Sequence, residues 1–436
     1  MRVEVLNTGT ELMLGSIVNS HLATLARDLF SLGLRIQRQT TVPDGDAIRQ
    51  SMLETFGRAD VLLVTGGLGP TTDDITRDIT AELLGLKLEF DPEIMAQIEA
   101  RFARRSLRMT DRVKLQAMRP PEATVLPNQN GTAPGLYFPA NGHGAPHIFL
   151  LPGPPRELQP MVKEQVLPIL ARLAPSAPAQ QMRLYRVVGL GESLVEDRVG
   201  EPLLALGLEV GYCARPGEVD VRLIGSKDQL DRAEPLVRDR LGATIFTEDT
   251  RSLEQVVIET LTAQGATLAT AESCTGGFIA HLLTNVPGAS RVFLAGYVTY
   301  ANTVKTSAVG VDPELIAANG AVSEPVARAM AEGARRASGA TCAVATTGIA
   351  GPDGGTPEKP VGTVFIALAT EGAATVVQKH RFATDRETFK QLTAQTVLDL
   401  LLRHRQGRGD GAGNQAPTGS ASCGGSGHGA QPRSHP

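Results

Sequence analysis

A chain of 436 residues with 42 Lys and Arg against 46 Asp and Glu carries a formal charge of -4, which supplies no global attraction to nucleic acid and leaves small metabolites as the expected ligands. Aromatic residues make up 4% and Trp is absent, so stacking platforms for single-stranded bases are poorly supplied. The cysteines, Cys213, Cys274, Cys342 and Cys423, form no C-x-x-C pair, which argues against a zinc knuckle or a disulfide scaffold and fits reduced thiols. Met1 to Thr8 reads as an opening strand without a basic leader or apolar signal core, and no uninterrupted apolar run could span a bilayer, so a cytoplasmic location without a membrane partner is expected.

The length exceeds one compact core and predicts two or three domains. Strands and helices alternate from the start: Val3 to Leu6, a helix from about Ser20 to Leu32, Val61 to Val64, then helices near Thr76 to Leu84 and Pro92 to Arg105, an α/β pattern. The apolar strands Val61 to Val64 and His147 to Leu151 each empty into a rigid loop, and two such loops at strand ends could face one crevice. Ala, Pro and Ser around Leu170 to Gln180 mark a domain edge. Leu184 to Val188, Glu218 to Ile224 and a helix around Gln229 to Arg240 then suggest a compact α+β part ending near Thr250. From Arg251 the α/β pattern returns, with strands Ala266 to Ala269, Cys342 to Ala345 and Thr363 to Leu368. Residues 407–436 collapse into Gly, Ser, Ala, Gln and Pro and are expected to be a disordered tail.

The loop Thr65-Gly66-Gly67-Leu68-Gly69-Pro70-Thr71-Thr72-Asp73-Asp74 combines three useful chemistries. Gly66, Gly67 and Gly69 let backbone amides approach a phosphate, Thr71 and Thr72 add hydroxyls, and Asp73 and Asp74 add hard oxygen ligands for a divalent ion. The string is neither a P-loop nor a dinucleotide fingerprint, and a tight turn capped by Asp is the alternative. Glu11 is a weaker acidic candidate, Asp44 and Asp46 read as turn caps, and His143 and His147, in a Gly- and Pro-rich loop, are assigned no metal.

The run Ala271-Glu272-Ser273-Cys274-Thr275-Gly276-Gly277 lies between a short apolar strand and a helical pattern starting near Phe278. A strand thus delivers the Ser273 hydroxyl to a helix start. Gly276 and Gly277 permit close approach, and N–H groups in the first helical turn can meet negative charge or a developing oxyanion. A helix-capping serine is the plainer reading. Downstream lies Tyr297-Val298-Thr299-Tyr300-Ala301-Asn302-Thr303-Val304-Lys305. A Lys305 neutralised by burial could take the proton of Ser273 directly or through the Tyr300 hydroxyl, and the alternative is a core-edge aromatic beside a solvated charge. Cys274 is a rival nucleophile, with a buried structural thiol as its ordinary explanation.

Together A-E-S-C-T-G-G, V-T-Y-A-N-T-V-K, G-A-V-S-E-P-V and T-G-I-A-G-P-D-G-G resemble the CinA family. The resemblance implies a C-terminal α/β/α domain over residues 251–406 similar to nicotinamide-nucleotide amidases, which convert nicotinamide mononucleotide to nicotinic acid mononucleotide and ammonia without a cofactor. Ser273, Tyr300 and Lys305 match the catalytic positions. Thr275, Gly276, Gly277, Thr347 and Gly348 would surround the ligand, with Arg386 suited to its phosphate or carboxylate. Residues 1–170, with Gly9-Thr10-Glu11-Leu12 and L-P-G-P-P-R-E, resemble the family's molybdopterin-binding-like α/β domain, in which some members hydrolyse ADP-ribose with a divalent ion (Mg, Mn or Co). Residues 171–250 resemble its small α+β, KH-like domain, which lacks a G-x-x-G clamp here and is expected to serve as a spacer or dimerisation element rather than bind RNA. A homodimer is implied. The competing reading makes one or both modules ligand-binding regulators without catalysis.

Overall fold

A computed structural model describes residues 1–106, 108–142, 144–174 and 180–408; most of the tail expected at 407–436, the Pro-rich stretch at 175–179 and His143 lie outside them. The chain forms two compact units, Met1–Gln180 and a second beginning at Gln181. In the first, a sheet runs in the order Ile36–Val42, Val3–Thr8, Val61–Thr65, His147–Leu151, Gly135–Phe138, Thr124–Leu126. The first four strands are parallel and the last two antiparallel. Val3–Thr8 and Val61–Thr65 are buried along their whole length, which explains the unbroken apolar run Val61 to Val64. Separate apolar clusters cover the two faces, one around Leu25, Leu29 and Met161, the other around Ile48, Met52 and Ile79. Chain order reverses between Val3–Thr8 and Val61–Thr65, so a crevice opens outside their carboxyl ends.

The second unit begins with an antiparallel sheet in the order Glu209–Arg215, Glu218–Gly225, Gln181–Val188, Ile245–Thr247. Helices Glu192–Ala205 and Lys227–Leu241 back it through Val195, Val199, Leu203, Leu230 and Val237. Ser226 and Gln229 close a capping box at the second helix, which starts it two residues before the expected Gln229.

A second, five-stranded sheet follows, in the order Phe293–Val298, Leu268–Glu272, Cys342–Gly348, Thr363–Thr370, Val376–Arg381. Its first three strands are parallel and the rest antiparallel. Helices Leu253–Ala263, Phe278–Thr284 and Arg386–Arg405 cover one face; Asn302–Val309, Pro313–Asn319 and Glu324–Ser338 cover the other. This is the α/β/α sandwich expected. Helix Glu324–Ser338 turns small residues inward, and a Cβ on Gly333 would lie 1.8 Å from the Val309 carbonyl oxygen. Leu268–Glu272 is flanked by Phe293–Val298 and Cys342–Gly348, so the Ser273 strand stands beside the point where chain order reverses.

Candidate active site

The strand leading to Ser273 starts two residues later than its apolar stretch suggests and ends three later, at Glu272, so Ser273 is the first residue beyond it. The Ser273 N–H donates to the Thr346 carbonyl at 3.0 Å, continuing the sheet. The chain then turns through left-handed Gly276 and Gly277, at φ 61° and 92°, into helix Phe278–Thr284. The expected oxyanion role of that helix start meets an internal competitor. The Glu272 carboxylate, 1% exposed, accepts from the N–H groups of Gly277 at 3.0 Å, Ile279 at 3.0 Å and Ala280 at 2.8 Å. A buried carboxylate is stabilised by such donors and by the helix N-terminus, so these three donors are engaged by Glu272 rather than held for a substrate.

Lys305 comes from the first turns of helix Asn302–Val309 and is 1% exposed. Its Nζ lies 3.2 Å from Ser273 Oγ, 2.9 Å from the Thr299 carbonyl and 3.3 Å from the Tyr300 carbonyl. Burial pushes the ammonium below the usual lysine pKa, with the nearby Cys274 sulfur acting in the opposite direction. Cys274 is buried, and that burial pushes its thiol up to about 12, hydrogen bonds including one with Thr346 opposing it. At neutral pH the sulfur is therefore a protonated thiol beside Ser273.

Tyr300 serves this geometry through its backbone. Its side chain is 60% exposed and its hydroxyl accepts from Arg386 Nη2 at 3.0 Å, while Lys305 Nζ meets Ser273 Oγ directly, the first of the two contacts expected. Arg386 opens helix Arg386–Arg405, capped by Asp385, and Nη1 donates to the Gly351 carbonyl at 2.8 Å. An exposed guanidinium at the mouth is positioned to meet an anionic group. Thr275 and Thr347 are buried: the Thr275 hydroxyl pairs with that of Thr346 at 2.8 Å, and Thr347 Oγ1 donates to the Ala321 carbonyl at 2.7 Å. Both brace the walls. Gly348 ends its strand where a Cβ would come 2.7 Å from the Thr363 carbonyl oxygen. Glu272 escaped the sequence reading, although an acidic residue closing an apolar strand before a glycine-bearing helix start is itself a cue for a capping carboxylate.

In the first unit, Gly66 and Gly67 have φ of 103° and 67°, and a Cβ on them would lie 2.5 Å from the Thr8 carbonyl oxygen and 2.0 Å from Thr76 Oγ1. The loop thus needs glycine to lie against the sheet end and the next helix. Asp74 accepts from the Thr71 N–H at 2.9 Å and from the Thr71 hydroxyl, and a Cβ on Gly69 would sit 2.4 Å from its Oδ2. Thr72 and Asp73 are exposed. Among the described residues no group of three or more His, Cys, Asp or Glu is placed to hold a metal ion. The Asp73–Asp74 pair therefore suits a turn cap better than a resident ion. Asp44 reaches beyond its own turn, accepting from the Thr10 N–H at 2.9 Å and hydroxyl at 3.0 Å. His147 Nδ1 accepts from the Ala140 N–H at 3.2 Å.

No helix among the described residues is long and apolar enough to cross a membrane. Family models match all three parts: "CinA C-terminal domain" over residues 250–404, "Probable molybdopterin binding domain" over 4–172 and "Damage-inducible protein CinA KH domain" over 182–247. A solved structure of the competence/damage inducible protein CihA from Agrobacterium tumefaciens is 42% identical, over 34% of this chain and 92% of that one, with a TM-score of 0.34. A relative from Symbiobacterium thermophilum, with competence-damage induction in its name, is 45% identical over 93% of this chain and 99% of its own. A CinA-like protein from Akkermansia muciniphila is 48% identical over 93% of this chain and 98% of its own length. Agreement on that scale, running through all three matched parts, makes this chain a member of the CinA family.

Proposed function

We propose that the C-terminal domain is a cytoplasmic hydrolase of the nicotinamide-nucleotide amidase class, converting nicotinamide mononucleotide to nicotinic acid mononucleotide and ammonia. The observation that carries this reading is the buried Lys305 amine 3.2 Å from Ser273 Oγ. A neutral amine has two N–H donors and one lone pair. The Thr299 and Tyr300 carbonyls accept the donors, which leaves the lone pair for the serine proton. Ser273 Oγ attacks the carboxamide carbon as its proton passes to Lys305, and Lys305 returns that proton to the departing nitrogen, releasing ammonia and an acyl-enzyme. Water then attacks the ester carbon, its proton passing by way of Lys305 to the Ser273 oxygen. The scheme balances without a cofactor. Arg386 would hold the phosphate at the mouth, with Tyr300 beside it.

Ser273→Ala is expected to lower ammonia release by roughly 10³-fold or more, whereas Cys274→Ala keeps substantial activity. A folded Ser273→Ala protein with full turnover would sink the assignment.

A second reading concerns the N-terminal crevice, where the Gly66 N–H donates to the Leu151 carbonyl at 3.0 Å and brings two glycine-bearing strand-end loops together. Backbone amides and the exposed Thr72 hydroxyl suit a pyrophosphate, and ADP-ribose hydrolysis is the reaction proposed there. A divalent ion (Mg, Mn or Co) acting there would arrive with the ligand's phosphates, as Mg²⁺ commonly does. Turnover of ADP-ribose with and without each ion, against its binding by calorimetry, separates catalysis from a regulatory ligand site. A homodimer is proposed as the assembly, with sedimentation equilibrium as its test.

A further inference from the structure

The N-terminal crevice contains a histidine that neither glycine loop accounts for. His21 is the first residue of helix His21–Phe30, which is anchored by buried Leu25 and Leu29, and its N–H donates to Asn19 Oδ1 at 3.1 Å. Its ring leaves the helix start for the sheet edge, where Nδ1 lies 3.2 Å from Thr65 Oγ1. The same ring also reaches the backbone of Gly153, in the loop after His147–Leu151. One side chain from a third element thus touches both loops.

A buried chain of amides favours one polarity for that contact. Gln39 Nε2 donates to Asn7 Oδ1 at 2.7 Å, and Asn7 Nδ2 donates to Thr65 Oγ1 at 2.7 Å. Thr65 Oγ1 therefore already accepts a proton from Asn7, and its own hydroxyl proton is free to go to His21 Nδ1. A neutral imidazole has one acceptor and one donor nitrogen, so the other N–H is the one that serves the Gly153 carbonyl. Burial lowers the His21 pKa, against the opposing hydrogen bond with Gly153, which favours this neutral form. Asn7 and Thr65 are fully buried, and buried polar groups are costly unless paired. Here the whole series ends on one ring at the crevice. The loops it joins lie close: a Cβ on Gly153 would stand 3.8 Å from Gly66 Cα.

We propose that His21 is the positioning residue of the N-terminal phosphate crevice, its ring latching the Thr65–Gly66 loop to the Gly153 loop at the spacing a pyrophosphate-bearing ligand requires. The inference rests on the reading of this crevice as a phosphate site. A ligand held by backbone amides from two loops is sensitive to their separation, because each amide must stay within about 3 Å of its oxygen. The latch acts through hydrogen bonds and not through ring volume.

The test uses the full chain with inorganic pyrophosphate and ADP-ribose as calorimetric probes. His21→Phe keeps the ring and removes both hydrogen bonds; His21→Gln keeps one donor and one acceptor. His21→Phe is expected to weaken pyrophosphate binding about tenfold or more, the scale of one or two lost hydrogen bonds, and His21→Gln to stay within about threefold of the parent. Ammonia release from nicotinamide mononucleotide and thermal unfolding should be close to those of the parent in both. Pyrophosphate added to the parent should also shift the His21 ring resonances in an imidazole NMR spectrum. A folded His21→Phe protein that binds as tightly as the parent overturns the latch, as does a folded His21→Gln protein that binds as weakly as His21→Phe. If His21→Phe does not fold, the Gln variant and the ring resonances decide: unshifted resonances on binding reject the role. A parent chain that binds neither probe removes the phosphate reading itself, and the latch with it.

Discussion

Two neighbouring side chains of the C-terminal domain respond to burial in opposite senses. Low dielectric disfavours charge, so it keeps the Cys274 thiol protonated and lowers the proton affinity of Lys305. In the proposed reaction the first change silences a rival nucleophile and the second supplies the base. Because Lys305 must be neutral to accept the serine proton, kcat/KM should rise with pH as Lys305 deprotonates, and that rise should fall below the usual lysine range. Lys305→Arg keeps the charge but cannot deprotonate near neutrality, so a loss of roughly 10²–10⁴-fold is expected. Near-parental turnover in Lys305→Arg would make the residue an electrostatic anchor instead. Tyr300→Phe is expected to act differently: its hydroxyl meets Arg386 and its carbonyl holds Lys305, so losing the hydroxyl should raise KM several-fold, on the scale of one hydrogen bond, with kcat little changed. Steady-state kinetics on the purified variant distinguish the two parameters.

At the scale of elements, the site depends on close backbone approach as much as on the reacting groups. Glu272 joins its strand to helix Phe278–Thr284 through its carboxylate and accepts the Thr299 N–H on its main-chain carbonyl at 2.8 Å. Thr299 in turn holds Lys305, so the proposed nucleophile and base share one scaffold. On the opposite face, Gly333 lets helix Glu324–Ser338 approach the end of helix Asn302–Val309, which bears Lys305. Gly333→Ala should force these helices apart and destabilise the domain by about 1–3 kcal/mol, measured by denaturant unfolding, with reduced amidase activity as Lys305 shifts. An unchanged midpoint and rate would show that the helices can yield. Elements buried on both sides were legible as apolar runs, such as Val61–Thr65 and Cys342–Gly348. The edge strands Ile36–Val42 and Val376–Arg381 were not, because one flank needs no partner and their residues are largely polar and incompletely buried. Spacing could name Ser273 and Lys305 but not place Glu272 on the helix amides or the Tyr300 hydroxyl on Arg386, since those contacts arise from turns and long-range pairings that local pattern does not encode.

Across the second unit, the expected boundary near residue 250 crosses a shared core. Val188 and Phe246 from the KH-like part are buried in one cluster with Leu253, Val257, Leu398 and Leu401. Gly217, at φ 83° in the hairpin between Glu209–Arg215 and Glu218–Gly225, lies against the last helix, where a Cβ would come 2.9 Å from Gln395 Cβ. Arg186 pairs with Glu218 at 2.8 Å and Asp220 at 3.0 Å, and donates to the Arg251 carbonyl across the junction. The helix under that hairpin also carries Arg386 as its first residue, so the KH-like part steadies an element of the proposed substrate mouth. All the proposed amidase groups nevertheless lie after residue 251. A fragment of residues 251–406 should therefore release ammonia from nicotinamide mononucleotide without added metal, but should unfold at a lower temperature than a fragment of residues 181–408. Losing the cover that Val188 and Phe246 provide costs roughly 1.5–3 kcal/mol for each large apolar contact exposed. The kinetic comparison is made well below both unfolding transitions, with circular dichroism confirming that each fragment is folded. Equal melting temperatures would deny the shared core its role. A folded but inactive 251–406 fragment beside an active 181–408 fragment would make the KH-like part a working component of the amidase.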